Sequence, residues 1–521
     1  MTKVCILTAG KGTRMGKLTL HTNKVLLPLN DKAIISHIIE SFPENTEFVL
    51  ALGYKGSHIK QYVSIAHPNT KFSFVNVKNF DGPGSGPGLS LLSCKEYLDS
   101  AFWCVCGDTI WDTALENINF NPGKNLIGAS HVPIEQISSF CSIEESQGKI
   151  VKIYDKDPNS PTTLVFNGLF HINDTELFFN ALDDDKLING EHQISNGFEK
   201  LTTDKLLEPL VINSWVDLGN YKSYVTANSN SPNFYFKKNN EYFYEVNNQI
   251  IKFFGDPLIV KQRVQRQKIL ARVTPKLTHS EQNFYSYNKV AGPVIYDVIT
   301  PSIFTKLLNW LKKELWTKPS GSTGLFKKNC TNFYKNKTLM RVDNYLDKYP
   351  DRTAKLVNGK KAQPIHELLD KVPWEELTNG TPTNFHGDLQ FDNIIFNNGS
   401  FTLIDWRQNF SDSLKYGDIY YDLAKLKVGI DIHLKQLKNR IYEYTNNKKN
   451  ISFILPKLTM ADELLSLLKS FLKENSFSSD RVNIISSIIL INMAPLHDED
   501  LANIFWNSGK EQLIDNVVLK S

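Results

Sequence analysis

Lys3–Leu7 runs directly into Thr8-Ala9-Gly10-Lys11-Gly12-Thr13-Arg14, and this junction limits the fold that can follow. A short apolar run without polar alternation is the pattern of a strand buried on both faces of a parallel sheet. Gly10 and Gly12 break it, and helical spacing returns at Ile34–Ile39. Strand, glycine loop and helix together turn backbone N–H groups toward a phosphate chain. An ordinary βα turn shares that outline. Here Thr13 adds a hydroxyl, Arg14 a guanidinium fork suited to phosphate oxygens, and Lys24 a second cation ahead of the extended run Val25–Leu29. Phe48–Leu52, Phe72–Val77 and Phe102–Cys106 read as further strands, each separated by a helix-length segment, so a mostly parallel sheet is expected. The last ends in Gly107-Asp108, beyond the carboxyl end of a strand, where ligands bind in open α/β sheets. The glycine-rich stretch Asp81–Gly88 interrupts this βαβ pattern and reads as a loop that lets a ligand approach the backbone. A helix pattern follows at Leu89–Leu98.

At 521 residues the chain exceeds a single core, and two large domains or three smaller ones are expected. A net charge of +4 gives no bulk signal for nucleic acid. Six cysteines make no disulfide framework; Cys104 and Cys106 fall on one strand face as buried thiols. No run approaches the roughly 20 apolar residues of a membrane span, and no secretory leader is evident, so a cytoplasmic protein is expected.

Residues 1–226 resemble the sugar-phosphate nucleotidyltransferases, including the phosphocholine cytidylyltransferases of that fold. Leu7–Arg14 with Lys24 is similar to the family's signature. The resemblance implies that Ala9, Gly10, Gly12 and Thr13 bind a nucleoside triphosphate, that Arg14 and Lys24 act on the transferred group, and that Asp108 and Asp217 (in Trp215–Gly219) hold Mg²⁺. It further implies acceptor contacts from Lys156, Gly168 and Glu191; Asp155 and Asn196 depart from the family's usual Glu and Asp.

The polar stretch 227–234 reads as a linker, followed by a second domain at 235–521 with an N-lobe near 235–292 and a C-lobe near 293–521. A hairpin is expected around Asn247-Asn248, with Lys252 on its second strand. His386-Gly387-Asp388 with Asn393, then Leu403-Ile404-Asp405-Trp406, resembles the catalytic loop and metal segment of the aminoglycoside phosphotransferase and choline kinase family. The resemblance is strong over 384–426. It implies a bilobal kinase-like α+β domain with a helical C-lobe, Asp388 as the base, Asn393 and Asp405 as Mg²⁺ ligands, and Lys252 on the ATP phosphates. The helix at Pro257–Val273 carries no acid over Val260–Lys268 to pair with Lys252. Asp418 and Asp422 are expected to cap a helix and anchor the loop.

Together the two resemblances imply a bifunctional, Mg²⁺-dependent enzyme. It would phosphorylate a small hydroxyl metabolite, an amino alcohol or sugar, with ATP. It would then couple that phosphate to a second nucleoside triphosphate, CTP being favoured, to make a precursor for surface-polysaccharide or lipid decoration. The alternative is a nucleotidyltransferase with a catalytically dead, nucleotide-sensing kinase-like domain. An oligomer is compatible with either.

Overall fold

The computed structural model describes residues 2–111, 118–155, 157–183, 186–188, 190–229, 240–318, 324–349, 356–447 and 450–517. Two compact units emerge: Met1–Pro257 with Glu281–Ser286, and Leu258–Ser280 with Tyr287–Ser521.

The first unit is built on a nine-stranded mixed sheet. Its strands are β1 (Lys3–Leu7), β2 (Glu47–Leu52), β3 (Lys71–Asn76), β4 (Phe102–Cys106), β5 (Asn125–His131), β6 (Cys141–Ser146), β7 (Lys149–Asp155), β8 (Leu164–Ile172) and β9 (Leu207–Val211). The main order is β7-β6-β8-β4-β1-β2-β3; β5 pairs with β8 and β9. The block β4-β1-β2-β3 is parallel, as the unalternated apolar runs require. β8 joins β4 antiparallel and makes the sheet mixed. Val4, Cys5 and Ile6 are wholly buried at its centre. The loops after β1 and β4 therefore leave the same sheet edge side by side. α1 (Ile34–Glu40) and α2 (Gly56–Ala66) follow the expected spacing. α3 (Pro87–Leu92) ends short of the expected Leu98, where Ser93 Oγ and Cys94 Sγ bond back to the carbonyls of Leu89 and Ser90.

The expected hairpin forms from Glu241–Val246 and Gln249–Phe254. Asn247 and Asn248 take φ of 50° and 60°, the left-handed pair that a two-residue hairpin turn needs. The hairpin packs into the first unit's core. Tyr244 Oη donates to Leu26 O at 2.7 Å, its ring lies 4.8 Å from that of Tyr62, and Glu245 N donates to Asp31 O at 2.7 Å. Val246, Ile251 and Phe253 complete the contact with apolar surface.

The second unit is rich in helices. α4 (Pro257–Ile269) leads into it, followed by α5 (Pro301–Glu314), α6 (Lys337–Lys348), α7 (Ile419–Asp431), α8 (Ala461–Glu474), α9 (Ser479–Met493) and α10 (Glu499–Val517). α9 packs on α7 and α10 through the buried stretch Ile484–Ile491, apolar except for Ser486 and Ser487. Among the described residues no helix is long and apolar enough to cross a membrane.

Candidate active sites

In the first unit the β1 loop walls a cavity of about 700 Å³, within the usual range for ligand sites. Ala9, Gly10, Gly12, Thr13, Arg14, Lys24, Asp108 and Glu191 all line it. Lys24 Nζ lies 2.5 Å from Asp108 Oδ2, both side chains largely shielded from solvent. Asn23 fixes that lysine: its Oδ1 accepts from Val25 N at 3.0 Å while Nδ2 donates to Thr8 O at 2.9 Å and Tyr54 O at 2.7 Å. Asn23 carries no sequence signal beyond being a good turn cap, and sequence reasoning missed it.

A second cavity of about 180 Å³ shares Arg14, Pro87, Cys106 and Asp108 with the first. Gly168 and Asp217 line it, together with Phe140, Phe166, Phe198 and Trp215. A Cβ at Gly219 would sit 2.7 Å from Asp217 Oδ1 and 3.3 Å from both Arg14 Nη2 and Asp108 Oδ2, so these three side chains converge at the shared wall. Burial raises Asp108, but Lys24 and Arg14 outweigh it and hold the carboxyl below its ordinary value. Asp217 is raised by burial and by Asp108. Glu191 lines the larger cavity rather than the smaller and accepts from Gln193 Nε2 at 2.8 Å. Lys156 lies outside the described residues; its neighbour Asp155 lines the smaller cavity and accepts from Ser195 Oγ at 2.9 Å.

In the second unit a two-strand hairpin, Ile394–Asn397 with Ser400–Leu403, places Asn393 beside the segment that carries Asp405. Ile404 N donates to Asn393 O at 2.9 Å. Asn393 Nδ2 donates to Asp388 O at 2.8 Å and reaches Oδ2 at 3.3 Å. Asp405 takes φ 57°, a strained setting of the kind that clusters at functional sites. Burial raises Asp388, but Lys425 (2.9 Å away), His386 and Arg407 outweigh it and lower the carboxyl to about 2.

Asp418 and Asp422 act as expected. Asp418 caps α7 and accepts from Thr381 N at 2.9 Å. Asp422 accepts from His386 N and Gly387 N, both at 2.8 Å, and from Trp316 Nε1 at 3.2 Å. Arg266 of α4, fully buried, donates to the carbonyls of Arg407 and Phe385 and stacks 3.9 Å from the Phe385 ring. That helix is thus fixed to the loop by a cation on backbone oxygens. Lys252 lies on the hairpin of the first unit, its ammonium 5.0 Å from the Phe243 ring.

Residues 3–233 match the nucleotidyl transferase family, and residues 326–441 match the phosphotransferase enzyme family. The chain joins a nucleotidyl transferase domain to a phosphotransferase domain. The nucleotidyl transferase half is 26% identical over 226 residues to a bifunctional protein GlmU of Methanocaldococcus jannaschii, covering 43% of this chain and 52% of that one. The chain thus spans about half the length of such relatives. It is 23% identical to the UTP–glucose-1-phosphate uridylyltransferase AglF of Haloferax volcanii, covering 41% of this chain and 90% of that protein. It is 26% identical to a probable glucose-1-phosphate cytidylyltransferase of Bacillus subtilis, covering 34% and 76%. Among solved structures, a UDP-glucose pyrophosphorylase complexed with UDP-glucose aligns at 20% identity and a TM-score of 0.39, over 44% of this chain and 97% of that one.

Among the described residues no three His, Cys, Asp or Glu side chains form a self-sufficient metal site. The carboxylate pair Asp108 and Asp217 at the nucleotidyl transferase site, and Asn393 with Asp405 at the phosphotransferase site, are hard oxygen donors. They fit Mg²⁺, which is commonly held by one or two carboxylates and completed by substrate phosphates.

Proposed function

We propose that the chain catalyses two consecutive phosphate chemistries. The phosphotransferase domain phosphorylates a small hydroxyl metabolite, an amino alcohol or sugar, with ATP. The nucleotidyl transferase domain then couples that phosphate to a second nucleoside triphosphate, CTP being favoured, and releases pyrophosphate. The product is an activated precursor for surface-polysaccharide or lipid decoration. The observation that carries this reading is the wall shared by the two cavities. It sets a larger space against a smaller one with Arg14 and Asp108 between them, which supports a nucleoside triphosphate and an acceptor meeting there, while the phosphotransferase match over 326–441 supports the kinase step.

In the nucleotidyl step an acceptor phosphate oxygen attacks the α-phosphorus, and the bond to the bridging oxygen of pyrophosphate breaks. Lys24 and Arg14 neutralise the charge that develops. The glycine loop presents backbone N–H groups to the triphosphate. Asp108 and Asp217 would hold Mg²⁺, which supplies charge neutralisation on the phosphates. In the kinase step Asp388 accepts the acceptor hydroxyl's proton, already ionised because Lys425 lies beside it. Asn393 and Asp405 would hold Mg²⁺ on the ATP phosphates.

Mass detection of products from ATP, CTP and a panel of hydroxyl compounds tests the proposal. A nucleotidyl-activated acceptor is expected. Binding of Mg-ATP with no ADP formed across the panel would favour the sensing alternative.

Two further outcomes follow from local geometry. Gly86 has φ 145°, and a Cβ there would lie 2.5 Å from His192 O, on the segment that binds loop 82–88 through Gly84 N–Gly190 O and His192 N–Ser85 O. Gly86→Ala should cost roughly 1–3 kcal/mol of local strain. In kinetics it should raise KM for the nucleoside triphosphate about tenfold, with the kinase step unchanged. Asp422→Ala leaves three buried donors without an acceptor, at roughly 1–3 kcal/mol each. Thermal denaturation should show a clear drop in Tm, and ADP release should be lost while pyrophosphate release persists.

A further inference from the structure

The phosphotransferase domain holds a cluster of cations of which the steps above use only Lys425, as the partner of Asp388. Lys337 and Arg341 lie one turn apart on α6. Lys337 Nζ is 3.6 Å from the centroid of the Phe333 ring and 5.6 Å from that of Tyr421. The Arg407 guanidinium carbon is 5.0 Å from the same Phe333 ring. Lys425 Nζ is 6.0 Å from the Tyr421 ring and 2.9 Å from Asp388 Oδ1. Lys337, Arg407 and Lys425 thus gather about two aromatic rings with Arg341 one turn along α6, and Asp388 beside them already pairs with Lys425.

Among the described residues none of Lys337, Arg341 and Arg407 has a carboxylate within ion-pair distance. Arg341 Nη1 donates to Asn492 O at 3.3 Å and Arg407 Nε to Asn409 O at 3.1 Å, which leaves each guanidinium with donors to spare. Burial, then Arg407, Arg341 and Lys425, push the Lys337 ammonium well below its ordinary value. Like charges held this close repel, and a bound anion relieves the repulsion. Planar guanidinium forks with an ammonium also match the oxygens of a carboxylate or phosphate.

We infer that this cluster receives an acidic group of the acceptor whose hydroxyl meets Asp388, so the kinase substrate is a hydroxyl compound bearing a carboxylate or phosphate. The inference rests on the kinase reading above and narrows it. An amino alcohol or a sugar qualifies when it also carries an acid group, whereas ethanolamine or choline would bring a cation to a positive surface. In the transfer, the acceptor oxygen forms a bond to the γ-phosphorus of ATP and the γ-phosphorus bond to the bridging oxygen breaks. The electron pair leaves with ADP, and the hydroxyl proton goes to Asp388.

The test uses the full chain with Mg-ATP and acceptors that differ in charge: glycerol, D-glycerate and glycerol 3-phosphate; ethanolamine and serine; glucose, gluconate and glucose 6-phosphate. ADP release should favour the acidic members over their neutral or cationic counterparts by at least tenfold in kcat/KM. The carboxylate and phosphate arms decide which acid is read. Lys337→Gln and Arg341→Gln should each raise the acceptor KM about tenfold and leave the ATP KM within twofold. Preference for ethanolamine or glycerol overturns the inference, and so does a rise confined to the ATP KM, which would assign the cations to the nucleotide. If no compound supports ADP release, the kinase reading fails separately, and calorimetry decides the anion site. Saturable binding of an acidic panel member that Lys337→Gln and Arg341→Gln abolish retains the site; absence of such binding overturns it.

Discussion

Asp388→Asn should reduce ATP-dependent phosphorylation by about 10²–10⁴-fold, the span that a positioned general base contributes. The substitution keeps the side-chain shape and removes the proton acceptor. The Asn393 bond to the Asp388 backbone oxygen, 2.8 Å, does not depend on the carboxylate. The anchors from His386 and Gly387 to Asp422 are likewise untouched. Loss of the ion pair to the nearly buried Lys425 should lower Tm modestly, because that cation loses its partner. The defect should lie in kcat, with ATP affinity retained. Pyrophosphate release from a supplied phosphorylated acceptor should proceed at the wild-type rate, which separates loss of chemistry from loss of fold. Because the base is held at about 2, its protonation should impose no acid limb on the kinase rate near neutral pH.

Lys24→Ala should abolish nucleotidyl transfer to a comparable degree, about 10²–10³-fold for a preorganised group that meets developing charge. Lys24 is held on one side by the Asn23 cap and on the other by its 2.5 Å contact with Asp108. Its stem packs on Gly12, where a Cβ would lie 3.1 Å from Lys24 Cβ. Removing the ammonium leaves Asp108 with burial and one cation fewer, so its carboxyl should rise toward the ordinary value or beyond. Two effects then act together: the triphosphate loses a cation, and Asp108, the carboxylate proposed to hold Mg²⁺, binds protons more readily. ADP release by the phosphotransferase domain should not change.

Much of the first site was legible because few residue patterns make a buried parallel strand end in glycines. Lys3–Leu7 and Phe102–Cys106 are strands at those bounds, side by side, and their neighbouring ends carry Arg14 and Asp108 to one wall. The candidate catalytic loop was legible for a different reason. Asn393 and Asp405 flank a tight hairpin, so their separation along the chain is fixed by the strands between them. The hairpin at Asn247-Asn248 was visible as strands and turn, but alternation does not say which core the buried face joins; Tyr244 and Tyr62 decide that by contact. Lys425 sat hidden within the apolar run of α7. Lys337 and Arg341 look in sequence like one solvated face of a helix, and only the approach of Arg407 and Lys425 turns that face into a positive cluster.

The central claim is that one chain makes a phosphorylated compound and then activates it. The most direct measurement follows products by mass in mixtures of ATP, CTP, Mg²⁺ and the acceptor that the charge panel selects. The wild-type chain should form ADP, pyrophosphate and the nucleotidyl-activated acceptor in equal amounts. Lys24→Ala should accumulate the phosphorylated acceptor. Asp388→Asn should form nothing until that phosphorylated compound is added, and should then release pyrophosphate normally. If the compound accumulated by Lys24→Ala is not consumed when supplied to Asp388→Asn, the two domains do not act in sequence and the account is contradicted.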